Sequence, residues 1–86
     1  MYTEFGKDEI ITIDLHLHTV AEAKRRLEAI VRIAPSSVRE IVVIHGYHKG
    51  TALLNMVRND FHHRRVARKF LSLNQGVTSL ILNGRK

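Results

Sequence analysis

The stretch ITIDLHLHTVAEAKRRLEAIVRIAPSSVREIVVIHG, residues 11–46, decides the fold, because its apolar period changes twice along its length. From Ile11 to Leu17 apolar and polar residues alternate, with Ile11, Ile13, Leu15 and Leu17 on one side and Thr12, Asp14 and His16 on the other. This pattern predicts a half-buried strand. Thr19-Val20-Ala21-Glu22 then forms a capping-box pattern, in which hydroxyl and carboxylate can each satisfy an orphan backbone N–H. Val20, Ala23, Leu27, Ile30 and Ala34 recur at helical steps, so an amphipathic helix is expected to end by Pro35. The continuous β-branched run Ile41-Val42-Val43-Ile44 predicts an interior strand covered on at least part of both faces. A strand, a helix and a second strand of this kind form a right-handed βαβ unit with parallel strands.

Working outward, a second helix is expected over Ala52–His62, with Leu53, Val57 and Phe61 on one face, Met56 beside them and Thr51 as a cap. Val66–Leu73 and Val77–Leu82 read as strands joined by the turn sequence Asn74-Gln75-Gly76. The order β-α-β-α-β-β implies an α/β (α+β) two-layer sandwich, with a four-stranded mixed sheet and two helices on one face. Residues 1–9 are polar and unpatterned, a flexible lead-in, and residues 10–86 make a single domain. At 86 residues the chain is long enough for one hydrophobic core.

The absence of cysteine excludes disulfides and thiolate zinc sites. The longest apolar run, Ile41–Ile44, is far short of the ~20 residues of a membrane span, and MYTEFGKDE has no apolar signal stretch. A cytoplasmic monomer with no membrane partner is therefore expected. The net charge of +6 is unevenly distributed. Residues 1–40 hold six Lys/Arg against seven Asp/Glu, whereas residues 41–86 hold eight against one, Asp60. A basic half raises the local concentration of polyanions, of which nucleic acid is the commonest.

Two strand ends carry chemistry. Alternation puts Asp14, His16 and His18 together at the end of the first strand, while His45-Gly46 follows the second. Carboxyl ends of neighbouring parallel strands open onto a shared crevice, so these groups should converge. The loop Gly46-Tyr47-His48-Lys49-Gly50-Thr51 leads into the second helix, bringing flexible backbone, a lysine and a helix N-terminus to one place, a setting suited to phosphate. It lacks the Gly-Lys-Ser/Thr ending of a P-loop. Tyr47 could stack on a base or cover the sheet edge, and His48 could touch phosphate or be solvated. Arg58, Arg64, Arg65, Arg68 and Lys69 form the candidate backbone-contact patch, with a solvated face as the plainer reading. His62-His63 should sit at a helix C-terminus, where cations favour the dipole.

Taken together, Ile13-Asp14-Leu15-His16, His45-Gly46 with Gly50, and Gly76-Val77-Thr78 resemble the three motifs of the small MutS-related (Smr) domain family, over about residues 10–83. Two features depart from the family pattern: Leu17 replaces the usual glycine after the first motif, and the central loop is two residues longer between its glycines. The resemblance implies nucleic-acid binding and, in several members, endonuclease activity on DNA or RNA; in larger proteins the domain acts in ribosome quality control. On this reading His16 or His45 activates the attacking oxygen, Asp14 orients or charges its partner, and Lys49 with the loop amides stabilises phosphoryl charge. A non-catalytic module binding nucleic acid or a ribosomal surface is the alternative. Participation of Mg²⁺ or Mn²⁺, and the choice of DNA or RNA, stay open at this level. The stretch Asp-Leu-His-Leu-His-Thr is also similar to the opening metal motif of PHP phosphoesterases, but barrels of that kind need ~200 residues or more.

Overall fold

The computed structural model describes residues 10–47 and 50–83; the lead-in 1–9, His48, Lys49 and residues 84–86 lie outside the described residues. β1 (Ile10–Asp14) pairs parallel with β2 (Glu40–Ile44), and α1 (Val20–Ile33) crosses between them. The capping box is present: Glu22 N–H donates to Thr19 Oγ1 at 3.2 Å, and Thr19 N–H donates to Glu22 Oε1 at 3.1 Å. The helix buries Ala23, Leu27 and Val31. It stops one turn later where Ala34 N–H closes on Ile30 O, with Pro35 next. Val20, expected on the buried stripe, is the first residue of the helix and is 38% exposed.

β3 (Val66–Leu71) and β4 (Val77–Leu82) form an antiparallel hairpin, and β4 also pairs antiparallel with β2, giving the sheet order β1-β2-β4-β3. The turn between them is held by Asn74, whose Oδ1 accepts from Gly76 N–H at 2.8 Å and whose carbonyl accepts from Val77 N–H at 3.1 Å. One face of the sheet, including Ile11, Ile13, Ile41, Val43 and Leu80, packs with Leu27, Val31, Val57 and Phe61 into a single core. Burying one such side chain contributes about 1.5–3 kcal/mol, so this shared layer dominates the stability of the fold.

Three expectations are corrected, the smallest being the third strand, which ends at Leu71 rather than Leu73. The first strand does not run to Leu17: after Asp14 only Leu15 N–H still reaches β2, at Ile44 O. β2 ends there, leaving His16 and Leu17 nothing to pair with. The chain turns instead, His18 N–H closing on Leu15 O, and Leu17 is 81% exposed rather than in the core. The second helix does not reach His62. α2 (Ala52–Asn55) passes into a π turn, Met56–Asp60, ended by the i→i+5 bond from Phe61 N–H to Met56 O at 2.7 Å. The wider turn lets Met56, Val57 and Phe61 all face the core.

Candidate active site

The β1 and β2 ends lie side by side, with Asp14 opposite Ile44 in the last paired position. Beyond it, the Asp14 carboxylate accepts from both His16 N–H, at 3.1 Å, and the His16 ring at Nδ1. A carboxylate accepts only, so Nδ1 carries a proton, and in the neutral ring Nε2 at the other edge has the lone pair. The two His16 hydrogen bonds, side chain first, hold Asp14 below its usual carboxylate range. Both side chains are about half exposed, at 48% and 51%, so the dyad is open to an incoming molecule.

His45 is placed differently. It is 2% exposed, with Nδ1 2.9 Å from Gly46 O and Nε2 2.9 Å from Thr78 Oγ1. The carbonyl can only accept, which puts the proton on Nδ1. Thr78 Oγ1 already accepts from Arg58 Nε at 2.7 Å, so its one proton points to His45 Nε2. Burial, partly opposed by the Gly46 bond and reinforced by Arg58, lowers the His45 pKa from its ordinary 6.5. A neutral ring with both nitrogens engaged has no lone pair for a substrate. His45 anchors the loop, whereas the His16 ring is accessible.

The loop after β2 is fixed at close quarters. His45 N–H and Gly46 N–H both donate to Gly76 O, at 2.9 and 3.0 Å. A Cβ on Gly76 would lie 3.4 Å from Gly46 Cα and 3.3 Å from Asn74 Oδ1, so a side chain there would press on backbone. Gly46 has φ +72°, and a Cβ on it would stand 3.5 Å from His16 Cβ. The first and second motifs therefore touch. Gly50, at φ +120°, is a glycine for conformation alone, since nothing lies within 4 Å of where its Cβ would be. A cleft of about 600 Å³ opens between these pieces, lined by His16, Leu17, Tyr47, Gly50 and Leu53 with His45 at its floor. Among the described residues no group of three or more His, Asp or Glu is placed to hold a metal ion.

The expected basic patch divides into separate roles. Arg65 is 8% exposed, and its Nη1 donates to Val31 O and Ala34 O, each at 2.7 Å, closing the C-terminus of α1. It is removed from the surface patch because that helix end needs a cation and donors. Lys69 Nζ donates to Phe61 O at 2.6 Å and Arg58 O at 3.2 Å, capping the π turn, and burial lowers its pKa. Arg58 gives a second hydrogen bond to Val77 O at 3.0 Å, so it supports the site from behind. Arg64 and Arg68 remain exposed, with His62 between the π turn and β3, beside a separate cleft of about 420 Å³. β3 begins opposite Leu82, at the end of the sheet away from His45, so these arginines are not beside the glycine loop. His63 takes a turn role instead of a helix cap, its Nδ1 accepting from Arg65 N–H at 3.1 Å. Sequence reasoning does not reach Thr78 as a site residue, although the Gly76-Val77-Thr78 motif is the signal that points to it.

The family model for the Smr domain matches residues 13–79, which include Asp14, His16, His45, Gly46, Gly76 and Thr78. The chain belongs to the Smr domain family. Among solved structures, the crystal structure of the Smr domain of Thermus thermophilus MutS2 has a TM-score of 0.75 and 24% identity, covering 85% of this chain and 98% of that one. At that identity the likeness is one of fold: this Smr domain shares its four-stranded mixed sheet with two helices. No curated protein matches the chain. The Asp-Leu-His-Leu-His-Thr stretch is accordingly the first motif of an Smr domain rather than the start of a metallohydrolase barrel. Among the described residues no helix is long and apolar enough to cross a membrane.

Proposed function

We propose that this Smr domain binds nucleic acid and cleaves phosphodiester bonds at the Asp14–His16 dyad. The supporting observation is the dyad itself: a half-exposed histidine whose Nδ1–H is held by a carboxylate, at the rim of the cleft. His16 Nε2 takes the proton of the attacking hydroxyl, a 2′-hydroxyl if the substrate is RNA or a water if it is DNA. As the new P–O bond forms, the bond to the leaving nucleoside oxygen breaks, and that oxygen takes a proton from water. Asp14 keeps the ring oriented and stabilises the imidazolium that forms. Loop amides between Gly46 and Gly50, with Lys49 assigned by its sequence position, stabilise charge on the phosphoryl oxygens, the Gly46 N–H itself being engaged by Gly76 O. Tyr47 and His48 are the loop contacts to base and phosphate, and the exposed Arg64 is a separate contact to the backbone.

A module that binds without cutting, on nucleic acid or a ribosomal surface, is favoured by one observation: His45, a candidate base from sequence, is buried and fully bonded. End-labelled single-stranded RNA, duplex DNA and branched DNA separate the readings, incubated with EDTA, Mg²⁺ or Mn²⁺ and with wild type or the Asp14→Ala/His16→Ala variant. Cleavage lost in the variant supports the nuclease, and the EDTA lanes decide whether a metal takes part. Retarded but intact nucleic acid supports the binding module.

A further inference from the structure

The helices cover one face of the sheet, and among the described residues the other carries a band of apolar side chains where a solvated face would be polar. Cross-strand register sets Ile10, Glu40, Ile81 and Arg68 in one row of that outer face. Thr12, Val42, Ser79 and Phe70 form the next, and Asp14, Ile44 and Val77 the third. Phe70 is 66% exposed and Ile10 51%; Val42, Ile44, Val77 and Ile81 are half-buried, and Ser79 between them is buried. The run Ile41–Ile44 reads from sequence as a strand covered on at least part of both faces, yet among the described residues helices cover it on one. A contiguous surface of this kind marks an interaction site.

We propose that a second copy of this chain packs on this face, sheet against sheet, about a two-fold axis running along β4. The charges select the partner and the register. Within these rows the only charged residues are Asp14, Glu40 and Arg68, two acids to one base, which disfavours a polyanion as occupant. A two-fold axis on β4 lays β2 over the partner's β3. Glu40 then faces the partner's Arg68, and Val42 faces the partner's Phe70. Ile81 and Val77 meet their own counterparts on the axis. Every contact is made twice, as a self-complementary interface requires, and aligned sheets pack in this way about 10 Å apart. β1 falls outside the overlap, so Asp14 and His16 stay open in both copies.

Sedimentation equilibrium on the 86-residue chain, from micromolar to about millimolar concentration, tests the interface, with circular dichroism as the check of folding. The wild type should reach twice the monomer mass. Glu40→Arg and Arg68→Glu should each weaken self-association about tenfold or more, since each sets like charges together twice. Mixing those two variants should restore a heterodimer, and the double variant should regain the homodimer. Phe70→Ser should weaken association without altering any charge. A wild type that stays monomeric throughout overturns the proposal. So does a dimer indifferent to both charge reversals, or variants that fail to recover on mixing. Loss of nucleic-acid binding in Phe70→Ser, with no dimer in the wild type, would assign the face to a different occupant.

Discussion

Thr78 Oγ1 lies 2.9 Å from His45 Nε2 and gives it the hydroxyl proton, because Arg58 Nε already donates to the same oxygen. The Gly46 carbonyl puts the ring proton on Nδ1, and this hydroxyl satisfies the nitrogen left bare. Thr78→Val keeps the shape and removes that proton, leaving Nε2 buried and unpaired. Urea denaturation should show a loss of about 1–3 kcal/mol, and Thr78→Ser should recover most of it. The ¹⁵N shifts of His45 should report Nδ1–H in the wild type.

His16 and His45 should separate by experiment. His16→Ala is expected to lower cleavage about 10²–10⁴-fold, the scale of a lost general base, with the denaturation midpoint nearly unchanged because the residue is half exposed. His45→Ala should instead lower stability, removing an anchored side chain from a fully packed place. If His16→Ala cleaved at the wild-type rate, the dyad would not be the site.

The depressed pKa of His45 gives stability a pH dependence of definite sign. The unfolded chain binds a proton near 6.5 that the folded chain resists, so the contribution is fully present above that pH. It falls as pH drops from there toward the folded value and then levels off. Denaturation curves from pH 8 to about 5 should show this decline, and His45→Asn should flatten it. Asp14, also depressed, adds stability that is lost only in the acid range, as pH falls through its folded value.

Arg65 and Arg64 are neighbours with opposite expectations. Arg65→Met breaks the hydrogen bonds to Val31 O and Ala34 O and should cost about 1.5–3 kcal/mol. Arg64→Ala, on an exposed side chain, should stay within about 0.5 kcal/mol while reducing the salt dependence of nucleic-acid binding.

Gly46→Ala should destabilise by roughly 1–2 kcal/mol through its left-handed backbone alone, since the added Cβ finds ordinary contact with His16. Gly76→Ala has no such backbone penalty but presses on Gly46 Cα. Its clearer readout is therefore cleavage, which should fall as the loop is displaced from His16.

Much of this molecule is legible in its sequence where the signal is local. Thr19 and Glu22 announce the start of α1, and Asn74-Gln75-Gly76 announces the hairpin, because each acts on its own backbone. The convergence of His16 with Gly46 follows from the parallel pairing of β1 with β2. What stayed hidden depends on distant partners. Alternation continues to Leu17, but the strand stops where β2 runs out at Ile44. The spacing of Leu53, Met56, Val57 and Phe61 fits an α-helix as well as the π turn. Arg65 belongs to a run of basic residues, and only the fold brings it to carbonyls 31 and 34 residues earlier in the chain.

The carbonyl of Gly76 receives both His45 N–H and Gly46 N–H. Two amides on one acceptor tie the glycine loop to the hairpin turn, so neither can open without releasing the other. In hydrogen exchange these amides should therefore behave as one cooperative unit, gaining protection together when a ligand fills the cleft. A probe placed on the hairpin turn, away from any catalytic side chain, would then report occupancy of the site.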